Sequence, residues 1–367
     1  MPRMLVTLVA MAGVLCPSAA APAKEMKAKN APEPGIQLDL VAGFSTTYDD
    51  NVFRYSVDEI DAIKNLPQTD QYSTVETTDD LILAQSLSLA AYRGDTRVTL
   101  GVKQNSNYRN TLKSFHNYSI DLRQKVGNAF FTYLTYRYTP RYYIRQIYDE
   151  DTMDFEEYDY AKHYVAAEAR KGLMKGRLSL RGHGRYEREK YPDYFQEYDF
   201  HGFATEAEVK YGLTKRLDVG VIGNYRRIST KGYDEPGETK TNSDETDGSY
   251  HENTYELYGS YDLPMKLFGS TPSVSLGGSL NRKAFTTDRS SLEDPYHAGR
   301  EDTKVAVEAG FGFGLGPGIT ADLNYKWQKR EVDSYAKDDL GEEKDFTANT
   351  LGLSISLTRG LVGKTGR

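Results

Sequence analysis

The chain has 367 residues, a formal net charge of −7 and a single cysteine. This mild acidity argues against nucleic-acid binding, which requires a basic surface, and one cysteine cannot form an intramolecular disulfide. The mean hydropathy is −0.64, and after the first 23 residues no stretch of even 15 residues is apolar, which excludes a membrane-spanning helix there. It does not exclude a membrane-spanning β-barrel, because only alternate residues of a barrel strand face lipid.

The first 23 residues have the pattern of a secretory signal peptide. Arg3 provides a short basic region, an apolar run covers residues 4–15, and Ala21-Pro22-Ala23 offers a cleavage site. The apolar run is about half as long as a helix that crosses a bilayer. We therefore predict secretion and cleavage of residues 1–23, followed by a short periplasmic lead-in over residues 24–35.

Residues 36–359 contain segments with the two-residue alternation of β-strands. Many are about 13–16 residues long, which exceeds the usual strand length of globular proteins. Two of them, the second and the fifth, carry apolar residues on both faces, so twelve or sixteen strands are also compatible with the pattern. The fourteen predicted strands cover residues 36–48, 77–92, 96–109, 114–126, 129–142, 158–171, 176–190, 198–211, 216–230, 250–262, 272–286, 302–315, 318–331 and 346–359.

The connections between these strands alternate in length. Short turns follow strands 2, 4, 6, 8 and 12, whereas long polar segments cover residues 49–76, 143–157, 231–249, 287–301 and 332–345. Periplasmic turns and extracellular loops of outer-membrane barrels are sorted in this way. The alternation therefore predicts that both chain termini are periplasmic, with residues 360–367 as a periplasmic tail.

The last predicted strand shows the two faces most clearly. Leu351, Leu353, Ile355 and Leu357 share one face, and small or polar residues share the other. Thr350, Gly352, Ile355 and Leu357 also resemble the C-terminal assembly signal of bacterial outer-membrane barrels. We therefore predict an all-β fold, a transmembrane antiparallel up-and-down barrel in the cell outer membrane. The alternative is a soluble β-sandwich whose apolar faces meet a second sheet.

A seven-residue element stands at the end of the first strand: Tyr48, Asp49, Asp50, Asn51, Val52, Phe53 and Arg54. It resembles the YDDNVFR element of the outer-membrane β-barrel porin family that is associated with exopolysaccharide operons. The resemblance is tight over these seven residues and covers the rest of the chain only as a strand pattern. It implies an outer-membrane barrel and no catalytic residue. Alternatively, the aspartates cap a tight turn.

Charged side chains of both signs fall on the predicted inner face. In an open pore they would set ion and solute selectivity, and in a closed barrel they would pair across strands. The strand 7 arginines could line one wall as a ladder, or could pair with the glutamates of strand 8. The pore-lining candidates are Arg97, Lys103, Arg123, Lys125, Arg177, Arg181, Arg185, Glu206, Glu208, Asp322 and Lys326.

The predicted loops are acidic and the outer ends of strands 5–8 are aromatic. We interpret the carboxylates as a solvated rim, because none matches a calcium-loop spacing, and the aromatic residues mainly as an interfacial girdle. Alternatively, rings that face inward could stack on the apolar faces of saccharides. The six histidines are scattered, without a nucleophile or orienting partner at a catalytic spacing. We predict no enzyme activity, no cofactor and no metal site.

These patterns predict a porin-like channel for the passive passage of saccharides or other small hydrophilic solutes, linked to exopolysaccharide export if the resemblance holds. Expected partners are outer-membrane lipid, lipopolysaccharide, the barrel assembly machinery and polysaccharide export components, and not nucleic acid. The alternatives are a closed structural or adhesin barrel that binds through its acidic loops, and a surface enzyme.

Overall fold

The computed structural model describes residues 36–65, 70–127, 129–149, 152–243 and 245–362. The predicted signal peptide, the lead-in up to residue 35 and the tail beyond residue 362 lie outside the described residues.

Fourteen antiparallel strands pair in chain order, and β1 closes on β14 to form one barrel. The predicted all-β up-and-down topology and strand number are therefore confirmed. The strands are β1 Gln37–Asp49, β2 Asp80–Arg93, β3 Thr96–Asn107, β4 Phe115–Lys125, β5 Phe130–Asp149, β6 Asp154–Leu173, β7 Leu178–Lys190, β8 Phe200–Gly212, β9 Leu217–Thr230, β10 Tyr250–Asp262, β11 Ser273–Phe285, β12 Arg300–Gly316, β13 Ile319–Ser334 and β14 Phe346–Val362.

The two ends of the barrel differ. The start of β1 and the end of β14 meet at one end, here the terminal end, where the other strands are joined mostly by short turns. The opposite end, here the loop end, carries L1 (residues 50–79), L2 (108–114), L4 (191–199) and L5 (231–249). It also carries L6 (286–299) and L7 (335–345).

The hairpin of β5 and β6 is longer than its sequence pattern predicts. The predicted loop over residues 143–157 is mostly strand, because both strands extend for 20 residues. Register shifts between Thr139 and Tyr142 and between Tyr143 and Arg145 break the two-residue period at this point. Such bulges are invisible to a test that follows strict alternation.

Helices are short and lie in the loops. They are α1 Val57–Asn65 in L1, α2 Leu340–Lys344 in L7, and 3-10 turns at Asp70–Tyr72, Thr111–Lys113, Met174–Gly176 and Asp193–Tyr198. Among the described residues, no helix is long and apolar enough to cross a membrane.

The inner face of the barrel can be assigned from contacts between strands that are not neighbours. Side chains of strands two apart converge on the concave face. Arg226 Nε of β9 lies 3.1 Å from Glu187 Oε1 of β7, and the Tyr258 hydroxyl of β10 donates to Glu208 of β8. The opposite face is apolar and uncovered: Leu257 and Leu276 are each 63% exposed. The single sheet closes on itself, which excludes the sandwich alternative.

Candidate functional site in the barrel lumen

Strands β6 to β10 form a wall of the lumen on which charges are paired; we call it the paired wall. At its centre, Arg181 Nη2 is 2.5 Å from Glu206 Oε1 and its Nε is 2.5 Å from Glu208 Oε2. Its third nitrogen, Nη1, is 3.5 Å from Glu168 Oε2. One guanidinium thus holds three carboxylates on β6 and β8.

The same pairing continues towards the loop end. Glu187 receives Lys162 Nζ at 2.8 Å, Arg185 Nε at 2.9 Å and Arg226 Nε at 3.1 Å. Lys162 also lies 2.8 Å from Glu189. The strand 7 arginines Arg181 and Arg185 are therefore engaged by glutamates, as in the pairing interpretation of the sequence.

Strands β3 to β5 form a second wall on which cations have no acidic partner; we call it the unpaired wall. It carries Arg97, Lys103, Arg123, Lys125 and Arg137. Within the described parts of the chain, no carboxylate oxygen lies within the 4.0 Å ion-pair distance of any of these five cations. The wall therefore presents net positive charge to the lumen.

The remaining pore-lining candidates lie in different settings. Lys326 of β13 is paired with Glu308 of the neighbouring β12. Asp322 faces inward on β13, four residues before Lys326. Arg177 lies in the turn that precedes β7, where its guanidinium donates to the carbonyls of Gly212 and Leu213 at 3.2–3.3 Å. Arg177 therefore stabilises a turn at the terminal end.

Sequence reasoning missed several inward charges, among them Arg137, Lys162 and Glu168. Arg137 stands in a strand whose two faces both look apolar. Pairing with β4 would have identified it, because Arg137 is the register partner of Ser119, on the same face as Asp121. Lys162 and Glu168 lie on the same face of β6 as Tyr164. Tyrosines on this strand hide the alternation of polar and apolar residues that would have marked the inner face.

The YDDNVFR element folds as a tight turn at the loop end of β1. Both Asp49 carboxylate oxygens accept hydrogen bonds of 2.7 Å from the Arg54 guanidinium, and Asp49 Oδ1 also accepts from the Asn51 amide at 3.0 Å. Arg54 itself has a φ of 62°, in the left-handed region. Asn51 donates to the Tyr55 carbonyl at 2.8 Å and accepts from the Tyr55 amide at 2.9 Å.

The same element ties the two ends of the sheet together. Asp50 accepts two hydrogen bonds of 2.7 Å from Asn349 of β14, one from its backbone amide and one from its side chain. Phe53 stacks on Tyr55 with ring centroids 5.0 Å apart, inside a small apolar cluster with Val75 and Tyr143. The element therefore locks the β1–β14 seam and anchors L1 to β5.

The residues of the assembly-signal pattern lie on β14 next to β1. Ile355 and Leu357 are on the apolar outer face and pair with Phe44 and Ala42, whereas Thr350 and Gly352 are on the inner face. The strand continues to Val362, three residues beyond the predicted end.

Aromatic residues at the loop end of β5 and β6 face inward more than the girdle interpretation predicts. Tyr142 and Tyr160 are register partners that stack with centroids 5.3 Å apart. Tyr158 stacks on Tyr191 of L4 at 5.0 Å and meets Tyr198 edge-on at 5.2 Å. These rings lie between the paired wall and L4. On β6, Tyr158 and Tyr160 have the same parity as the inward Lys162, and on β5 a bulge brings Tyr142 opposite Tyr160.

Among the buried ionisable groups in the loops, Glu197 and Lys113 have strongly shifted pKa values. Burial raises the pKa of Glu197 in L4 to about 8, reinforced by the neighbouring charges of Glu245 and Asp234. Burial, together with Arg145 and Arg54, lowers the pKa of Lys113 in L2 to about 7. The ammonium of Lys113 lies 4.5 Å from the Phe53 ring centroid.

The described residues contain no group of three histidine, cysteine or acidic side chains arranged to hold a metal ion.

No protein-family model matches the sequence, and no curated protein matches it. Solved structures are similar to it at low identity. The outer membrane channel DcaP of Acinetobacter baumannii is 11% identical, with 90% of this chain and 100% of that chain covered and a TM-score of 0.45. An anion-selective porin from Comamonas acidovorans is 10% identical, with 89% and 100% covered and a TM-score of 0.46. OprD of Pseudomonas aeruginosa is 10% identical, with 91% and 97% covered and a TM-score of 0.41.

Proposed function

We propose that the protein is a porin-like channel of the bacterial outer membrane that lets hydrophilic solutes, including saccharides, pass by diffusion. The observation that carries this proposal is the separation of faces in one closed barrel. The outer face is apolar and exposed, and the inner face is charged. A sheet closed on itself leaves no unpaired backbone edge in lipid, which is the condition for a strand to span a membrane.

The outer face sets the proposed location and partners. Its apolar band would contact outer-membrane lipid and lipopolysaccharide, with the terminal end in the periplasm. The outward Ile355 and Leu357 of β14 would then be available to the barrel assembly machinery before β1 pairs with that strand.

The inner face favours an open lumen. Eight-stranded barrels are filled by their own side chains, whereas barrels of about sixteen strands enclose a channel. Small residues occupy much of the arc from β11 through β1 to β3, including Gly43, Ser86, Gly101 and Gly310. Opposite lies the paired wall. Net positive charge on the unpaired wall would favour anions over cations.

A link to exopolysaccharide export rests on the YDDNVFR resemblance, and it would add polysaccharide export components as partners. In this chain all polar side chains of the element take part in the turn, the seam or the docking of L1.

One observation favours a second candidate, a closed structural or adhesin barrel that binds through its loops. At the loop end, many inward side chains of the paired wall and of the aromatic cluster under L4 contact one another instead of facing an open lumen. If such packing extends across the whole mouth, solutes do not pass.

Conductance of the purified protein in planar lipid bilayers distinguishes the two candidates. A channel gives stepwise conductance increments whose anion-to-cation permeability ratio exceeds one in a salt gradient. A closed barrel gives no increments, although the unboiled protein still migrates differently from the boiled protein on a denaturing gel. Identical migration of the two samples would contradict the barrel itself.

A further inference from the structure

Three arginines and three aromatic rings form a compact patch on the inner face near the terminal end; we call it the arginine patch. Tyr92, Arg97, Arg123 and Tyr133 are successive register partners across β2, β3, β4 and β5. Phe131 of β5 and its partner Arg170 of β6 complete the patch one pair further towards the terminal end.

Two of the three arginines in the arginine patch, Arg97 and Arg123, form no ion pair within the described residues. Arg97 and Arg123 stand directly opposite each other on adjacent strands, an arrangement in which like charges repel. Neither has a carboxylate partner among the described residues, and only Arg170 has one, with Nη2 3.2 Å from Glu168 Oε1. The repulsion would be relieved by an anion bound between the two guanidinium groups.

The rings hold the guanidinium groups without consuming their hydrogen-bond donors. Arg123 Cζ lies 4.5 Å from the Phe131 centroid and 5.9 Å from that of Tyr133. Arg97 Cζ lies 5.1 Å from the Tyr92 centroid, and Arg170 Cζ lies 5.9 Å from that of Tyr133. Such cation–π contacts fix the planes of the guanidinium groups.

The free donors follow from the hydrogen bonds that are made. Arg97 uses only Nε, which donates to Thr99 Oγ1 at 3.1 Å. Arg123 donates to no other side chain or carbonyl in the described part of the chain. Both nitrogens at the tip of each guanidinium therefore remain available to the lumen, in the forked geometry that matches a carboxylate or phosphate.

We propose that the arginine patch is a binding subsite for the carboxylate or phosphate group of an anionic solute at the terminal end of the lumen. This proposal rests on the proposed channel function and names the class of solute that the channel takes. Bidentate contacts to one oxyanion would order it between Arg97 and Arg123, while a neutral sugar of the same size would lack these contacts.

Current block in planar bilayers tests the subsite. D-glucuronate, D-glucose and inorganic phosphate are added separately to the side that faces the terminal end. We expect concentration-dependent block by glucuronate, by phosphate or by both, and none by glucose at equal concentration. The relative potency of glucuronate and phosphate identifies the preferred oxyanion. Equal block by glucose and both anions, or no block by any of the three, overturns the proposal.

Variants separate the patch from general positive charge. In the double variant Arg97→Gln/Arg123→Gln the blocking concentration should rise at least tenfold. Arg177→Gln is the matched control, because it removes one arginine at the same end whose guanidinium is committed to turn carbonyls. An unchanged blocking concentration in the double variant, or an equal rise in Arg177→Gln, contradicts the assignment.

Calorimetric titration of the detergent-solubilised barrel separates this proposal from the channel function. Anion binding that is lost in the double variant, in a protein without conductance, supports the subsite and refutes the channel. Conductance without anion binding refutes the subsite alone. The unboiled gel mobility of each variant verifies that its barrel has formed.

Discussion

The two charged walls of the lumen differ in how their charges are compensated. On the paired wall, Arg181 contacts three glutamates and Glu187 receives three cations. On the unpaired wall, the only inward carboxylate of β4, Asp121, accepts a hydrogen bond of 2.7 Å from Thr135 rather than an ion pair. The strand 7 arginines Arg181 and Arg185 are thus held by glutamates, whereas the five cations of the unpaired wall have no ion-pair partner among the described residues.

Removal of Arg181 should have the largest effect. Its side chain is 8% exposed, and Arg181→Ala would leave Glu168, Glu206 and Glu208 close together without their shared cation. Breaking a buried ion pair from one side costs about 3–5 kcal/mol, and we expect about 3 kcal/mol here because the lumen admits water. The measurement is urea unfolding in lipid vesicles, followed by fluorescence of the single tryptophan, Trp327.

Lys103→Ala is the matched control on the unpaired wall, where no carboxylate is left behind. We expect a change within about 0.5 kcal/mol, as for substitutions that remove no partner. Equal destabilisation by the two substitutions would show that the walls do not differ in the way described.

The pH response of L4 gives a smaller effect. The pKa of Glu197 is about 8 when L4 is packed, above the usual value of 4.5, so the packed loop retains a proton that the released loop loses. Packing is therefore strongest below pH 4.5, weakens as the pH rises from 4.5 to 8, and is constant above 8. Hydrogen exchange at the Gly232 amide, which donates to the Glu197 carbonyl at 2.8 Å, should lose at least tenfold protection between pH 5 and pH 8.

Glu197→Gln should abolish this loss, because the amide does not titrate. L2 provides an internal comparison of opposite sign. The pKa of Lys113 is lowered to about 7, so packing of L2 strengthens as the pH rises above 7. A parallel loss of protection in L2 and L4 would indicate general loosening of the loops and would contradict the role of Glu197.

Ion selectivity should show the smallest effect in energy terms. Lys103→Gln/Arg137→Gln removes two unpaired cations, and we expect the anion-to-cation permeability ratio to fall about threefold, less at high salt where charges are screened. Lys326→Gln/Glu308→Gln is the control, because it removes a pair and leaves the net charge unchanged. A larger shift in the control would place selectivity elsewhere.

Most strands could be predicted from the sequence because they have a two-residue alternation, and most of the turns at the terminal end are short and contain glycine. The extension of β5 and β6 could not, since two bulges around Tyr142 interrupt the alternation that the prediction follows.

The lumen was harder to predict than the barrel. Parity places Arg181 and Glu208 on the same face, but it does not say that one guanidinium reaches three carboxylates on β6 and β8. Whether a cation of the unpaired wall has a partner likewise depends on nitrogen–oxygen distances that the sequence does not contain. Arg137 was missed because tyrosines and leucines occupy both faces of its strand.

The two hydrogen bonds between Asp50 and Asn349 have a consequence for the time course of barrel formation. They join residues 299 positions apart. Among the described strands, β1–β14 is the only pairing that closes so long a loop. This pairing has the largest sequence separation, and therefore the highest contact order, in the described sheet. The entropic cost of closing a loop grows with its length, so this closure costs the most entropy. The two hydrogen bonds also lie at the loop end, the end of the β1–β14 seam farthest from the start of β1. We therefore expect these two hydrogen bonds to be among the last contacts that form during folding.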